Sequence, residues 1–313
     1  MTALARAYFA ERWANHRLGD ALVDRLVAAY VWFHDAGLCE RKFQSAIKNR
    51  NYASYAQDLA EMLAAYRLHQ AGFALQRSPA AGGPDFIVTK GGATVQLEIV
   101  TPEPLDEVSA YLNRPKEGVF SVPLNGFLLC WTKGIASKAK QLLGDDKDRG
   151  WVAKGLVDSR LPFVVAVNGC KFSAPLSEGF RPPLGGFPWA ATALYAISDP
   201  QIYLDRATGK SVGSGYERRD KLPRGEKAPV PLDVFLDKKY QFISAVWAFS
   251  LDDYDLLHDP PAVLLRQSYE SAVLHNPMTA TAVPQGLLPA FEEWQLQRGE
   301  EANTVQLVIN RIP

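Results

Sequence analysis

Two short apolar runs, Asp85 to Val88 and Ala93 to Val100, are joined by Lys90-Gly91-Gly92, and this pairing constrains the chain more than any other feature. A turn of two consecutive glycines supplies the positive φ angles that a tight hairpin needs, so the runs predict an antiparallel hairpin. In the second run Val95, Leu97 and Ile99 alternate with Gln96 and Glu98. Period-two geometry puts Glu98 on the face opposite the apolar trio. The hairpin therefore commits the chain to a sheet and gives each strand one carboxylate, Asp85 on the first and Glu98 on the second.

Around the hairpin the patterning is that of an α/β protein. Residues 2–36 read as one or two amphipathic helices, with Leu22, Leu26, Ala29 and Phe33 at three- and four-residue steps. A helix with Ser54 as N-cap carries Tyr55, Leu59, Met62, Leu63 and Tyr66 on one stripe and stops at Gly72. Residues 126–132, GFLLCWT, predict a strand, Lys133 to Leu143 a helix and Phe163 to Val167 a strand covered on both faces. The expected order is strand, strand, strand, helix, strand. Further strands are expected at 193–197, 242–249 and 304–310, a helix at Leu287 to Gln297, and a flexible loop at 205–227. The fold class is α/β, a central mixed β-sheet flanked by helices. The expected division is a helical N-terminal addition (1–50), a core (51–175) and an irregular C-terminal elaboration (176–313).

Composition narrows the partners. Lys plus Arg and Asp plus Glu number 34 each, so no global field attracts a polyanion and any such partner must be gripped locally. The 205–227 segment, with seven basic against four acidic residues, is the one place suited to that. Cys39, Cys130 and Cys170 are odd in number and widely spaced, which predicts neither a disulfide framework nor a structural zinc and fits a reducing cytoplasm. Arg6, Glu11, Arg12 and Arg17 interrupt any signal-like apolar stretch, and no run approaches the length of a spanning helix, so neither export nor a membrane is expected. His258 and His275 have no neighbouring ligand types and read as structural.

Paired carboxylates at a strand edge suit a hard cation, because Mg²⁺ takes one or two carboxylates and completes its shell with water and phosphate oxygens. The wider context is a helix with Glu61, then Gly72-Phe73, then Gly83-Pro84-Asp85-Phe86, then Leu97-Glu98-Ile99. This arrangement resembles the PD-(D/E)XK, or restriction-endonuclease-like, nuclease superfamily over roughly residues 54–168. The resemblance implies that Glu61, Asp85, Glu98 and the carbonyl of Ile99 hold Mg²⁺ or Mn²⁺ and that the substrate is nucleic acid, with DNA expected. It departs at Val100, where the superfamily pattern has a lysine that orients the attacking water. Lys138 and Gln141, a KxxQ spacing on the following helix, are similar to a variant that takes the amine from there. Glu-Ile-Val-Thr-Pro (98–102) resembles a further variant of the superfamily, found in bacterial proteins.

Each residue also has a plainer reading. Asp85 suits a turn after Gly-Gly-Pro, Glu98 a solvated strand face, and Glu61, Lys138 and Gln141 a helix surface. The expected function is a metal-dependent nuclease hydrolysing phosphodiester bonds. The alternative is a catalytically inactive module of the same fold that binds nucleic acid or protein, and a homodimer remains open.

Overall fold

The computed structural model describes residues 2–40, 43, 45, 52–79, 82–115, 117–172, 187–257, 271–298 and 305–311. Helices α1 (Thr2–Trp13), α2 (Gly19–Asp35) and α3 (Tyr52–Gln70) precede three antiparallel strands, β1 (Ala74–Arg77), β2 (Phe86–Lys90) and β3 (Ala93–Val100). Then come α4 (Asp106–Leu112), α5 (Leu124–Leu143), α6 (Trp151–Lys154) and strand β4 (Phe163–Asn168). After α7 (Trp189–Tyr195), β5 (Ile197–Leu204) pairs with β6 (Ser211–Arg218), and β7 (Lys221–Arg224) with β8 (Lys227–Pro231). Strands β9 (Ala245–Phe249), β10 (Ala272–His275), β11 (Glu292–Arg298) and β12 (Val305–Arg311) complete the chain.

One eight-stranded mixed sheet runs β1-β2-β3-β4-β9-β10-β11-β12, so strands from residue 245 onward extend the sheet that the hairpin begins. Its centre, β3, β4 and β9, is parallel. Parallel strands need cover on both faces, and β4 is buried at every position. Alternation sorts the cover into two layers. Val95, Leu97, Ile99, Val164 and Ala166 pack with α1, α2 and α3, while Val100, Phe163, Val165 and Val167 pack with α5 and α7. Gly91 and Gly92, at φ 58° and 82°, make the β2–β3 turn as the sequence predicts.

Four predicted elements change. GFLLCWT (126–132) is helical, the first half of α5, because Phe127, Trp131, Ile135, Ala139 and Leu142 continue one buried stripe at three- and four-residue steps and Pro123 sets its start. A continuous apolar run cannot by itself separate strand from helix; here its length does. Residues 287–297 are not a helix. Pro289 breaks that period, and Trp294 and Leu296 alternate with Gln295 and Gln297 along β11. The 193–197 strand is instead the end of α7, followed by Ala196 in the left-handed region (φ 56°) and the start of β5. The 205–227 segment forms most of two β-hairpins rather than a loop.

Ser54 lies inside α3 rather than at its cap. The expected order strand, strand, strand, helix, strand is not met as read: its third strand is the first half of α5, and β1, which was not expected, precedes the hairpin. His258 lies outside the described residues. No helix among the described residues is long and apolar enough to cross a membrane, and none of the three cysteines is in a disulfide.

Candidate metal-centred site

The site forms where β2 separates from β3. Phe86, the first residue of β2, pairs with Leu97, so Asp85 stands beside Glu98 with no further ladder to join. Side chains satisfy the backbone in place of a ladder partner. The Asp85 N–H donates to Glu98 Oε2 at 3.0 Å, and the Ile99 N–H donates to Asp85 Oδ2 at 2.7 Å. The two carboxylates are thus tied to each other through the main chain.

Glu98 shares its face with Val100, and that face is covered by α5. Lys138, on α5, donates to Glu98 Oε1 at 2.5 Å and to Gln141 Oε1 at 3.2 Å, joining the two members of the KxxQ pair. The Glu98 side chain is only 5% exposed. The structure therefore brings Asp85, Glu98, Ile99, Lys138 and Gln141 together, and Glu98 is no solvated strand residue.

Glu61 sits on α3 and is held differently. Arg77, at the end of β1, donates from Nη2 to Glu61 Oε2 at 3.1 Å and from Nε to the Leu38 carbonyl at 2.7 Å. Its Nη1 lies 3.9 Å from Asp85 Oδ1, and its guanidinium carbon stands 4.5 Å above the Phe86 ring. One turn before Glu61, Gln57 accepts from the Thr101 N–H at 3.0 Å. The Thr101 hydroxyl is buried with no hydrogen-bond partner among the described residues. Arg77 and Gln57 were missed from sequence. Phe73-x-Leu75-x-Arg77 alternates as a strand should, but it is too short to stand out. Gln57 is four residues from Glu61, hence on the same helical face.

Charge is short of balance in this cluster. Burial raises the Glu61 carboxyl to about 7, with Asp85 adding to the rise and Arg77 opposing it. Burial also raises Asp85 to about 7, helped by Glu98 and opposed by the Ile99 N–H, Lys138 and Arg77. Glu98 is raised by burial against the pull of Lys138. Acids that keep protons near neutrality mark a place where further positive charge would be stabilising.

The donor set fits a hard divalent cation. Asp85 and Glu98 offer oxygens of which each has at most one strong donor, leaving lone pairs free, and two carboxylates are what Mg²⁺ needs from protein. Among the described residues no three His, Cys, Asp or Glu side chains converge as a ligand group. The pair accordingly stands as the core of the site, with Glu61 engaged by Arg77.

Arg77→Ala is expected to destabilise the protein by about 2–4 kcal/mol, because it leaves Glu61 and the Leu38 carbonyl without their donor. Urea unfolding at pH 7 checks this; a loss under ~1 kcal/mol would mean that solvent screens the cluster.

No family model matches the chain, and neither a curated protein nor a solved structure proves similar to it.

Proposed function

We propose that the chain is a Mg²⁺- or Mn²⁺-dependent phosphodiesterase acting on nucleic acid, in the manner its likeness to the PD-(D/E)XK superfamily implies. The observation that carries this reading is Lys138 at 2.5 Å from Glu98, an ammonium brought from a helix to where Val100 offers none. Asp85 and Glu98 would hold the cation, with the Ile99 carbonyl alongside and Glu61 joining if released by Arg77. The cation, when bound, supplies charge neutralisation at the phosphate and lowers the pKa of water.

The chain's own groups do the positioning. An ammonium has three donors, of which Lys138 gives one to Glu98 and one to Gln141. The third is left to orient the attacking water or to meet the negative charge that develops on the phosphoryl oxygens. The Gln141 carbonyl holds Lys138 toward the carboxylates. The Ile99 N–H holds Asp85 in one rotamer, which favours a preformed site.

The test is incubation of the pure protein with plasmid, single-stranded DNA and RNA in Mg²⁺ or Mn²⁺, beside Glu98→Ala. Cleavage is expected to fall at least ~10²-fold in the variant, the scale on which removing one electrostatic contributor acts. Equal cleavage by both proteins sinks the assignment.

A second reading, an inactive module that binds nucleic acid or protein, draws on the internal neutralisation of Glu98 by Lys138 and of Glu61 by Arg77. Titration calorimetry with Mn²⁺ separates the two. Absence of binding at millimolar metal favours the inactive module.

A further inference from the structure

Arg77 keeps its guanidinium in the carboxylate cluster through contacts that do not involve Glu61. Its Nε donates to the Leu38 carbonyl at 2.7 Å and its Nη1 to the Asp85 carbonyl at 3.4 Å, while its guanidinium carbon lies 4.5 Å from the centre of the Phe86 ring. Two main-chain acceptors and an aromatic face thus hold the group, from the chain after α2, the residue before β2 and β2 itself. The side chain is 17% exposed. The fold sets where this charge stands, and Glu61 is the acid that answers it.

The charge stands between Glu61 and Asp85. Nη2 donates to Glu61 Oε2 at 3.1 Å, and Nη1 lies 3.9 Å from Asp85 Oδ1. A Mg²⁺ ion shared by those two carboxylates would need an oxygen of each within about 2.1 Å, so the oxygens could be at most ~4.2 Å apart with the ion between them. The guanidinium takes that room.

Charge counting points the same way. Among the side chains in direct contact, three carboxylates, Glu61, Asp85 and Glu98, meet two cations, Arg77 and Lys138, which leaves one negative charge when all are ionised. One divalent ion together with the single negative charge of a phosphodiester brings this set to neutrality. A second divalent ion would leave two positive charges among largely buried side chains, where unbalanced charge is costly. Glu40, 3.9 Å from Arg77 Nε, is 60% exposed and screened by solvent, and Asp58 comes last among the groups acting on Glu61, so neither changes the count much.

We infer that Arg77 stands where a second divalent ion would otherwise bind, so that the centre takes one ion, on Asp85 and Glu98. Glu61 is then a positioning residue that holds Arg77, and it ligates metal only when Arg77 is removed. The inference rests on the proposed metal-dependent function and limits it to one ion.

The experiment counts Mn²⁺ bound to the full chain at pH 8, from the electron paramagnetic resonance signal of the free ion. It compares wild type, Arg77→Ala and the double variant Arg77→Ala with Glu61→Gln. Wild type should bind one ion. Arg77→Ala should bind two, with affinity at the second position raised at least ~10-fold over wild type, and the double variant should return to one. Near-UV circular dichroism establishes folding, and the double variant, which leaves no lone buried acid, guards against a merely unfolded single variant. Should Arg77→Ala be unfolded without metal, millimolar Mn²⁺ should refold it with two ions bound, because the ion supplies the missing charge.

Two ions on wild type overturn the inference, as do one ion on folded Arg77→Ala, two on the double variant, or an Arg77→Ala chain that stays unfolded in Mn²⁺. Failure of the nuclease reading shows separately. One ion on wild type without cleavage of plasmid, single-stranded DNA or RNA leaves Arg77 in its place and removes the hydrolysis. Two ions with cleavage do the reverse, and no ion on wild type removes both.

Discussion

Lys138→Met is expected to remove the proposed nucleic-acid cleavage and to lower stability by about 3 kcal/mol, because methionine fills the space of the stem and leaves Glu98 as a buried acid without its cation. The two losses have one origin. Lys138 opposes the rise that burial imposes on the Glu98 carboxyl; without the ammonium that rise is larger and favours the protonated form. A protonated Glu98 no longer offers a charged ligand. Lys138→Arg separates the effects. The charge returns, so most of the stability should return, but the wide guanidinium cannot reproduce a point donor between Glu98 and Gln141, and cleavage should stay at least ~10-fold down. Denaturant curves and cleavage rates on the same preparations check both. A Met variant as stable as wild type would show that Glu98 is neutral even beside Lys138.

The second large effect is a stability that falls as pH rises when no divalent ion is present. Glu61 and Asp85 are raised to about 7 in the folded chain, against about 4 in an unfolded one. A group that binds its proton more tightly when folded favours the folded state in acid. That advantage is full below the unfolded pKa and is lost as pH climbs through the folded pKa. The difference is worth about 3 kcal/mol for Glu61 and about 4 kcal/mol for Asp85, and the two together give less than the sum because they interact. Asp253, raised to about 7 chiefly by burial and then by Asp252, acts in the same direction. Melting temperature in EDTA should therefore decline between pH 4 and pH 7, and Asp85→Asn should flatten part of the decline. Millimolar Mg²⁺ should restore stability at pH 8 and do little at pH 5, where protons already occupy the acids. A flat profile with and without Mg²⁺ would remove the electrostatic basis of the site.

Legibility in the sequence followed the range of the forces involved. The β2–β3 hairpin could be read because its turn chemistry and its alternation are local, and Glu98 was correctly set on the face away from Val95, Leu97 and Ile99. Lys138 could be named from a KxxQ spacing, but only the packing of α5 over Val100 brings it to Glu98. Arg77 could not be found this way, since its polar partners come from α3, the chain after α2 and the residue before β2. The helix over 124–143 was misread at its first half because a run buried on most sides carries little periodicity. The β5 to β8 hairpins were misread for the opposite reason. Glycines and charges give a ribbon exposed on both faces the composition of a loop, and only strand pairing tells them apart.

Strand β4 lies between β3, made before it, and β9, made roughly 75 residues after it. During synthesis at ~5–20 residues per second, one edge of Phe163–Asn168 stays unpaired for several seconds or more. That edge, Phe-Val-Val-Ala-Val-Asn, is uncharged and β-branched, the type of segment most prone to pair with the wrong chain. The carboxylates are thus encoded in the first half of the protein, yet the strand beside them is sealed only by the second. A nascent chain halted between the two would present an adhesive edge before it could present the finished carboxylate site.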